Sequence, residues 1–150
     1  MDRDPADLSG EMLLVEPPRL VPAGPVVVSV CISCKAADGS GVVVGPDMFD
    51  AVSAALGDGD AAIMVRPVQC LSVCKRPATV AVTSPDGYTF LFGDLQTDSG
   101  TAALVSFVKS YQKSDYGLVP WRERAEVLRK GMVARVPPMR WSPDDGRAPK

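Results

Sequence analysis

The chain has 150 residues, a net charge of −2 and no histidine. Without histidine it cannot build a Ser-His-Asp triad, a Cys-His nucleophile, a Rieske centre or a histidine-ligated zinc site on its own. A hydrophobic content of 46% suffices for a sizeable core, so the four cysteines are not needed as structural staples.

Charge is distributed unevenly along the chain. Residues 1–120 contain eight Lys/Arg and fourteen Asp/Glu, which gives −6, and residues 121–150 contain eight Lys/Arg and four Asp/Glu, which gives +4. An acidic body argues against nucleic-acid binding, because a duplex-binding face needs a basic surface on the folded part. We expect a cytoplasmic protein without a membrane span, since the acidic start lacks a basic secretory lead and no apolar run approaches ~18 residues.

The first predicted elements are a strand, a helix and a second strand. Residues 25–30 form a β-branched run that predicts a buried strand ending at Cys31. Residues 46–56 begin with Pro-Asp and carry an apolar stripe, which predicts a helix. Residues 63–68 predict the second strand. Because a helix joins the two strands, they should be parallel with a right-handed crossover.

A hairpin and a second helix follow. Residues 79–83 and 88–92 predict two strands, and the Ser-Pro-Asp-Gly sequence between them predicts a turn in which Gly87 adopts a positive φ. The next segment predicts a helix capped by Asp98 or Ser99. Its expected apolar face consists of Ala102, Leu104, Val105 and Val108.

The element order β-α-β-β-α predicts a mixed sheet flanked by helices, an α/β fold of the thioredoxin-like type. We expect this domain to span residues 25–116. An irregular leader, residues 1–24, should precede it, and a basic extension with a short helix and a disordered end, residues 117–150, should follow. In the Pro-Trp-Arg-Glu-Arg sequence of the extension, Trp121 is expected to pack on the body while the arginines face water. The alternative is a partner-docking patch.

Four cysteines form two close pairs, each directly after a predicted strand. Cys31 and Cys34 lie in Cys-Ile-Ser-Cys, and Cys70 and Cys74 lie in Cys-Leu-Ser-Val-Cys. Neighbouring parallel strands lie about 5 Å apart, so the two loops that follow them can converge on one ion or cluster. All four thiols are therefore candidate ligands of a metal or cluster.

The pairing leaves several interpretations open. One interpretation is that the four cysteines serve only as small buried apolar residues, but such residues would not be expected in pairs after strands. A structural zinc site is possible with four thiolates, although zinc ribbons usually have a glycine after each pair, where this chain has Lys35 and Lys75. A [2Fe–2S] cluster uses all four cysteines, two at each iron. Lys35, Lys75 and Arg76 would then offset its charge, and backbone N–H groups of residues 36–45 would hydrogen-bond its sulfurs.

A dithiol oxidoreductase is the remaining interpretation. Cys31 would be the attacking thiolate, Cys34 would resolve the intermediate, and Pro77 would be a cis-proline, as in the thioredoxin arrangement. This interpretation leaves Cys70 and Cys74 without a role. In addition, the sequence directly after Cys34 is not helix-forming, and a helix N-terminus is what lowers the thiol pKa in such sites.

The motifs themselves resemble known families. The Cys-Leu-x-x-Cys at residues 70–74, followed by Pro77, Val-Ala-Val and Asp-Gly-Tyr, resembles the C-terminal half of thioredoxin-like [2Fe–2S] ferredoxins, whose first cysteine pair is spaced more widely. The chain is more closely similar to DUF1636, a family of predicted metal-binding proteins. That resemblance also includes the Cys-x2-Cys after strand one, the Phe-Gly-Asp-Leu at 92–95 and the Pro-Trp-Arg-Glu-Arg at 120–124, and it covers about residues 26–140.

The resemblance implies a [2Fe–2S] ferredoxin-like protein that transfers one electron to or from a redox partner protein, with zinc as the alternative cofactor. We expect an electron carrier or metal-binding protein rather than an enzyme. Some family members are encoded near cobalamin genes, which implies a link to cobalamin metabolism. Ferredoxins of this fold often dimerise, so a homodimer is a further expectation. The implied ligands are Cys31, Cys34, Cys70 and Cys74.

Overall fold

The computed structural model of the protein describes residues 25–36, 38–57 and 61–139. The expected leader, residues 1–24, and the expected disordered end, residues 142–150, lie outside the described residues. No helix within the described part has both the length and the apolar character needed to cross a membrane.

A five-stranded mixed sheet forms the centre of the fold. Its strands are β1 (Val26–Cys31), β2 (Ile63–Val68), β3 (Val80–Thr83), β4 (Thr89–Phe92) and β5 (Met132–Val136). The helices are α1 (Gly45–Leu56), α2 (Thr97–Lys113) and α3 (Glu126–Lys130). The strand order is β2-β1-β3-β4-β5, with β1 and β2 parallel and the other neighbours antiparallel. The predicted β-α-β-β-α order and α/β class are confirmed.

Strand β5 comes from the segment 117–150, which the sequence analysis set apart as an extension. It pairs antiparallel with β4, and Arg135 lies opposite Phe90. Leu128 of α3, just before β5, is fully buried in the core. The described part of this segment therefore packs on the body and completes one edge of the sheet.

The core lies between one face of the sheet and the helices α1 and α2. Phe90 of β4 meets Phe107 of α2 edge-to-face, with ring centroids 5.0 Å apart. This aromatic packing sets the rotation of α2, which begins at Thr97, so its N-cap is Gln96 and not the expected Asp98 or Ser99. Ala102, predicted on the apolar face, is consequently exposed. The buried residues of α2 are Gly100, Ala103, Leu104, Phe107, Val108 and Tyr111.

The turn between β3 and β4 needs glycine for space, and not for a positive φ. The Gly87 N–H donates to the Ser84 carbonyl at 3.3 Å, as the turn prediction required. However, Gly87 does not adopt a positive φ, so that expectation was wrong. A Cβ at Gly87 would lie 3.2 Å from the ring carbon Cζ of Tyr111 and closer still to its hydroxyl. Any larger residue would therefore collide with Tyr111.

Tyr111 makes a buried hydrogen-bond junction at this turn. Its hydroxyl donates to the Tyr88 carbonyl at 2.6 Å, which leaves the Ser84 hydroxyl, at 3.0 Å, as a donor to Tyr111. Burial raises the pKa of Tyr111 to about 12, although the Ser84 hydrogen bond opposes the rise. The folded protein therefore holds this phenol in its neutral form.

We expect Tyr111→Phe to lower the free energy of unfolding by about 1–2 kcal/mol at pH 7. The reason is that the variant lacks the hydroxyl that bonds the buried Tyr88 carbonyl and the Ser84 hydroxyl. The difference should narrow as pH rises from 10 towards 12. Over this range the unfolded wild-type chain releases the Tyr111 proton at lower pH than the folded chain does. The wild type therefore loses stability through Tyr111, a loss that the variant lacks. Urea unfolding at pH 7 and pH 11 measures both effects, and a constant difference would contradict the pKa shift.

Candidate metal-binding site

All four cysteines lie at one end of the sheet. Cys31 is the last residue of β1 and is paired in register with Val68, the last residue of β2. Cys34 follows Cys31 after a tight turn, and Cys70 and Cys74 follow β2. Both pairs therefore follow the carboxyl ends of the two parallel strands, as predicted. Cys31 and Cys34 are buried, Cys70 and Cys74 are exposed, and none of them forms a disulfide.

The loop after the first pair holds Cys34 through its backbone. The Cys34 carbonyl oxygen accepts the N–H groups of Val44, at 2.9 Å, and Gly45, at 3.1 Å. These bonds place the start of α1 beside Cys34. The sequence analysis expected amides of residues 36–45 to bond the sulfurs, but those of Val44 and Gly45 bond this carbonyl oxygen instead.

Hydrogen bonds also join the two cysteine loops to each other. The Ile32 N–H donates to the Val68 carbonyl at 3.0 Å, which extends the pairing of β1 and β2 past the first cysteine. The Ser33 hydroxyl then donates to the Gln69 carbonyl at 2.7 Å. The Cys31 sulfur lies 3.5 Å from the same hydroxyl oxygen. The positions of the two loops are thus coupled directly at Cys31.

The chain also supplies hydrogen-bond donors to the sulfurs of Cys34 and Cys70. Thr79 is fully buried, and its hydroxyl oxygen lies 3.4 Å from the Cys34 sulfur. The Ser72 N–H donates to the Cys70 sulfur at 3.1 Å. Ser72 adopts a left-handed backbone conformation, with φ 63°, which turns its N–H back towards the cysteine two residues earlier. Hydrogen bonds of this kind orient and stabilise sulfur ligands of a metal site.

The first pair ionises unequally. Burial opposes ionisation of Cys31, but hydrogen bonds from Ser33, Cys34 and the Leu71 backbone lower its pKa from 9.0 to about 7. Burial raises the pKa of Cys34, and the adjacent Cys31 raises it further. The first negative charge of this pair therefore lies on Cys31, beside the second loop.

The second pair lies near the first. The hydrogen bond and charge of Cys70 raise the pKa of Cys74, and the charge of Cys31 raises it further. The Cys31 sulfur lies 3.8 Å from the carbonyl oxygen of Gln69, the residue before Cys70, so the first pair lies against the loop that carries the second. Within residues 25–36, 38–57 and 61–139, however, no three Cys, Asp or Glu side chains gather closely enough to hold one metal ion. The site consists of two close pairs side by side.

Arg76, at the end of the second loop, fixes this loop to the C-terminal part of the sheet. Its guanidinium forms an ion pair with Asp94 at 2.7 Å and donates to the Lys130 carbonyl at 3.0 Å. The Asp94 N–H in turn donates to the Arg76 carbonyl at 2.8 Å. The charge of Arg76 is therefore paired with Asp94, whereas Lys35 and Lys75, the other basic residues beside the cysteines, are exposed.

The sequence of the chain matches a known protein family. The sequence profile of a family described as "Protein of unknown function (DUF1636)" matches residues 28–138. The chain belongs to the DUF1636 family. No curated protein matches this DUF1636 chain.

The fold of the DUF1636 protein is that of thioredoxin-like ferredoxins. A thioredoxin-like [2Fe–2S] ferredoxin from Aquifex aeolicus matches with a TM-score of 0.51 at 16% identity, over 79% of this chain and 100% of that chain. A second structure, of the wild-type Aquifex aeolicus ferredoxin, gives a TM-score of 0.48 at 17% identity, over 75% and 99% of the two chains. The resemblance stated from the sequence is confirmed for both the family and the fold.

Two features of the DUF1636 structure differ from what the dithiol interpretation requires. The cis peptide bond found is Pro77–Ala78, whereas a cis bond before Pro77 was expected. Helix α1 begins at Gly45, eleven residues after Cys34, and the N–H groups of Val44 and Gly45 at its N-terminus donate to the Cys34 carbonyl oxygen and not to a thiol sulfur.

Sequence reasoning did not find several residues that contact the cysteines. Thr79 was assigned only to a strand, and Ser33 and Ser72 were treated as spacers within the motifs. A serine or threonine between or after cysteines is a weak signal, because its hydroxyl more often faces water. Only the fold shows that Thr79 is buried against Cys34.

Proposed function

We propose that this DUF1636 protein is an electron carrier that holds a [2Fe–2S] cluster through Cys31, Cys34, Cys70 and Cys74. The observation that carries the proposal is the placement of two close thiol pairs at the ends of adjacent parallel strands. The fold that places them is shared with a protein described as a thioredoxin-like [2Fe–2S] ferredoxin. When bound, such a cluster supplies reversible one-electron transfer.

The arrangement in pairs supports a two-metal cluster over a single zinc ion. Zinc needs all four sulfurs about 2.3 Å from one point. A [2Fe–2S] cluster takes two thiolates at each of two irons, so its ligands divide into two pairs. The thiols here form two pairs, one after each of two neighbouring parallel strands. A zinc ion on the same four cysteines is the competing proposal, and metal analysis separates the two.

The surroundings of the thiols support the binding of an anionic group. The hydroxyl of Thr79 and the N–H of Ser72 contact sulfurs of different pairs, and hydrogen bonds to sulfur stabilise clusters and tune their potential. Because Cys70 and Cys74 are exposed, a redox partner would exchange the electron on their side. A cytoplasmic location fits four reduced thiols. The link to cobalamin metabolism and the homodimer stay predictions.

Dithionite reduction followed by electron paramagnetic resonance tests the proposed electron transfer. We expect the anaerobically isolated protein to accept one electron per two irons and to show the signal of a mixed-valence iron pair. Reoxidation should remove the signal and restore the original spectrum. A protein that accepts no electron would contradict the proposal.

We expect Thr79→Val to make the reduction potential more negative, because the hydrogen bond to the Cys34 sulfur stabilises the more negative reduced state. A differential strength of about 0.5–1.4 kcal/mol corresponds to roughly 20–60 mV for a one-electron couple. Valine has nearly the same shape, so the cluster should be retained.

Thr79→Ser is the matched control for this substitution, since it keeps a hydroxyl at the same position. Its potential, measured by spectroelectrochemical titration, should stay near that of the wild type. Equal shifts in the valine and serine variants would show that packing, and not the hydrogen bond, sets the potential.

A further inference from the structure

The Pro-Trp-Arg-Glu-Arg segment exposes its tryptophan and buries an arginine. Trp121 is 60% exposed, whereas Arg124 is only 7% exposed. The sequence predicted the reverse for these two residues, with Trp121 packed on the body and the arginines in water, whereas Arg122 is exposed as predicted. Arg124 is buried because its guanidinium donates twice to the Val119 carbonyl, at 2.9 and 3.1 Å, and lies 5.3 Å from the ring centroid of Phe90.

Two guanidinium groups flank the exposed indole. Arg124 lies 5.8 Å and Arg129 5.7 Å from the ring centroid of Trp121. Cation–π contacts at such distances fix the orientation of an aromatic ring. Because Arg124 is itself anchored to Val119, Trp121 is held at the surface in a defined position. Preorganised Trp and Arg side chains are the residues most often found at the energetic centre of interfaces.

The Trp121 ring lies beside two arginines, and the carboxylate of Glu126, whose pKa Lys130 and then Arg129 lower, is ion-paired with Lys130 at 2.8 Å. The Arg135 guanidinium lies 5.7 Å from the ring centroid of Tyr88. Burial lowers the pKa of Arg124, and the charge of Arg135 lowers it further. In the part of the chain that the structure describes, no carboxylate forms an ion pair with Arg124, Arg129 or Arg135. We call Trp121 and these three arginines the Trp121 patch.

The charge pattern of the chain selects the partner of this patch. Arginine binds carboxylates with two parallel hydrogen bonds, and Trp121 adds apolar contact area between the cations. The chain as a whole carries a net charge of −2, so it offers little long-range attraction to a polyanion such as nucleic acid. A short acidic segment needs no extended basic surface and can satisfy the cations of the patch. We propose that the Trp121 patch docks a short carboxylate-bearing segment of a partner protein.

Isothermal titration of the full-length protein with a peptide of alternating Glu and Ala tests this proposal. The Glu peptide should bind, its affinity should fall as salt rises, and the matching Gln peptide should not bind. Trp121→Ala and Arg129→Gln should each weaken binding about tenfold, the loss typical of a central interface residue. Lys109→Gln removes the same charge from an exposed position on α2 and should change affinity less than about twofold.

Several results would overturn the proposal. The proposal fails if the Glu peptide does not bind. It also fails if Trp121→Ala and Arg129→Gln lose no more affinity than Lys109→Gln. Tighter binding of a single-stranded oligonucleotide would assign the patch to nucleic acid. Sedimentation that shows a dimer dissociated by Trp121→Ala would assign it to a second copy of the chain. Trp121 is largely exposed, so its alanine variant should fold, which circular dichroism verifies.

Discussion

Replacing Cys70 or Cys74 with alanine should abolish iron and sulfide binding as completely as replacing Cys31 or Cys34. Each substitution removes one of the two thiolates at an iron, and the alanine side chain offers no ligand in its place. Iron and labile sulfide per chain, measured after anaerobic purification, should fall close to zero in all four variants. The effect on the second pair is the informative one, because a dithiol site needs only Cys31 and Cys34.

Ser72→Ala is the matched control within the second loop. The Cys70 sulfur accepts the backbone N–H of Ser72, and alanine keeps that group. The control should therefore retain iron and sulfide at the wild-type level. Full iron content in Cys70→Ala and Cys74→Ala would show that the second pair does not bind the cluster, and the four-cysteine proposal would fail.

Replacing Gly45 with alanine should destabilise the fold and open the first cysteine loop together. A Cβ at Gly45 would lie 2.5 Å from the Cys31 carbonyl oxygen and 2.5 Å from Cα of Ile32, and both contacts are with backbone. Backbone cannot rotate away as a side chain can, so α1 would have to move. That movement would break the 3.1 Å bond from the Gly45 N–H to the Cys34 carbonyl.

We expect Gly45→Ala to cost about 3 kcal/mol in the free energy of unfolding, at the upper end of the range for overpacking, and to lower cluster retention. Urea unfolding and iron analysis measure the two effects. Gly41→Ala is the control, since a Cβ there meets no atom within 4 Å. Its positive φ of 81° should cost about 1 kcal/mol without changing iron content. Wild-type stability in Gly45→Ala would contradict the close packing of α1 on the cysteine loop.

The first four strands and their order along the chain could be predicted because their signal is local. The β-branched run of β1 and the apolar stripe of α1 each depend on residues next to one another in sequence. The positions of the cysteines followed from these elements, since the carboxyl ends of parallel strands lie at one edge of a sheet. That argument places Cys31 beside the start of the second loop, as the pairing of Cys31 with Val68 shows.

The features that sequence reasoning missed depend on contacts between distant residues. The burial of Arg124 requires the Phe90 ring from another strand, and nothing in the local sequence shows that pairing. The rotation of α2 likewise depends on Phe107 meeting Phe90. At Gly87 the local turn signal was correct, but the reason for glycine is the distant Tyr111. Local patterns therefore located the thiols, and tertiary packing decided which groups contact them.

The most direct measurement is metal and sulfide analysis of the protein purified anaerobically, with its visible absorption spectrum recorded on the same sample. We expect a coloured protein with about two irons and two sulfides per chain and negligible zinc, the content of a cluster held by four thiolates. A colourless protein that holds one zinc ion tightly and cannot be reconstituted with iron and sulfide would contradict the proposed [2Fe–2S] site.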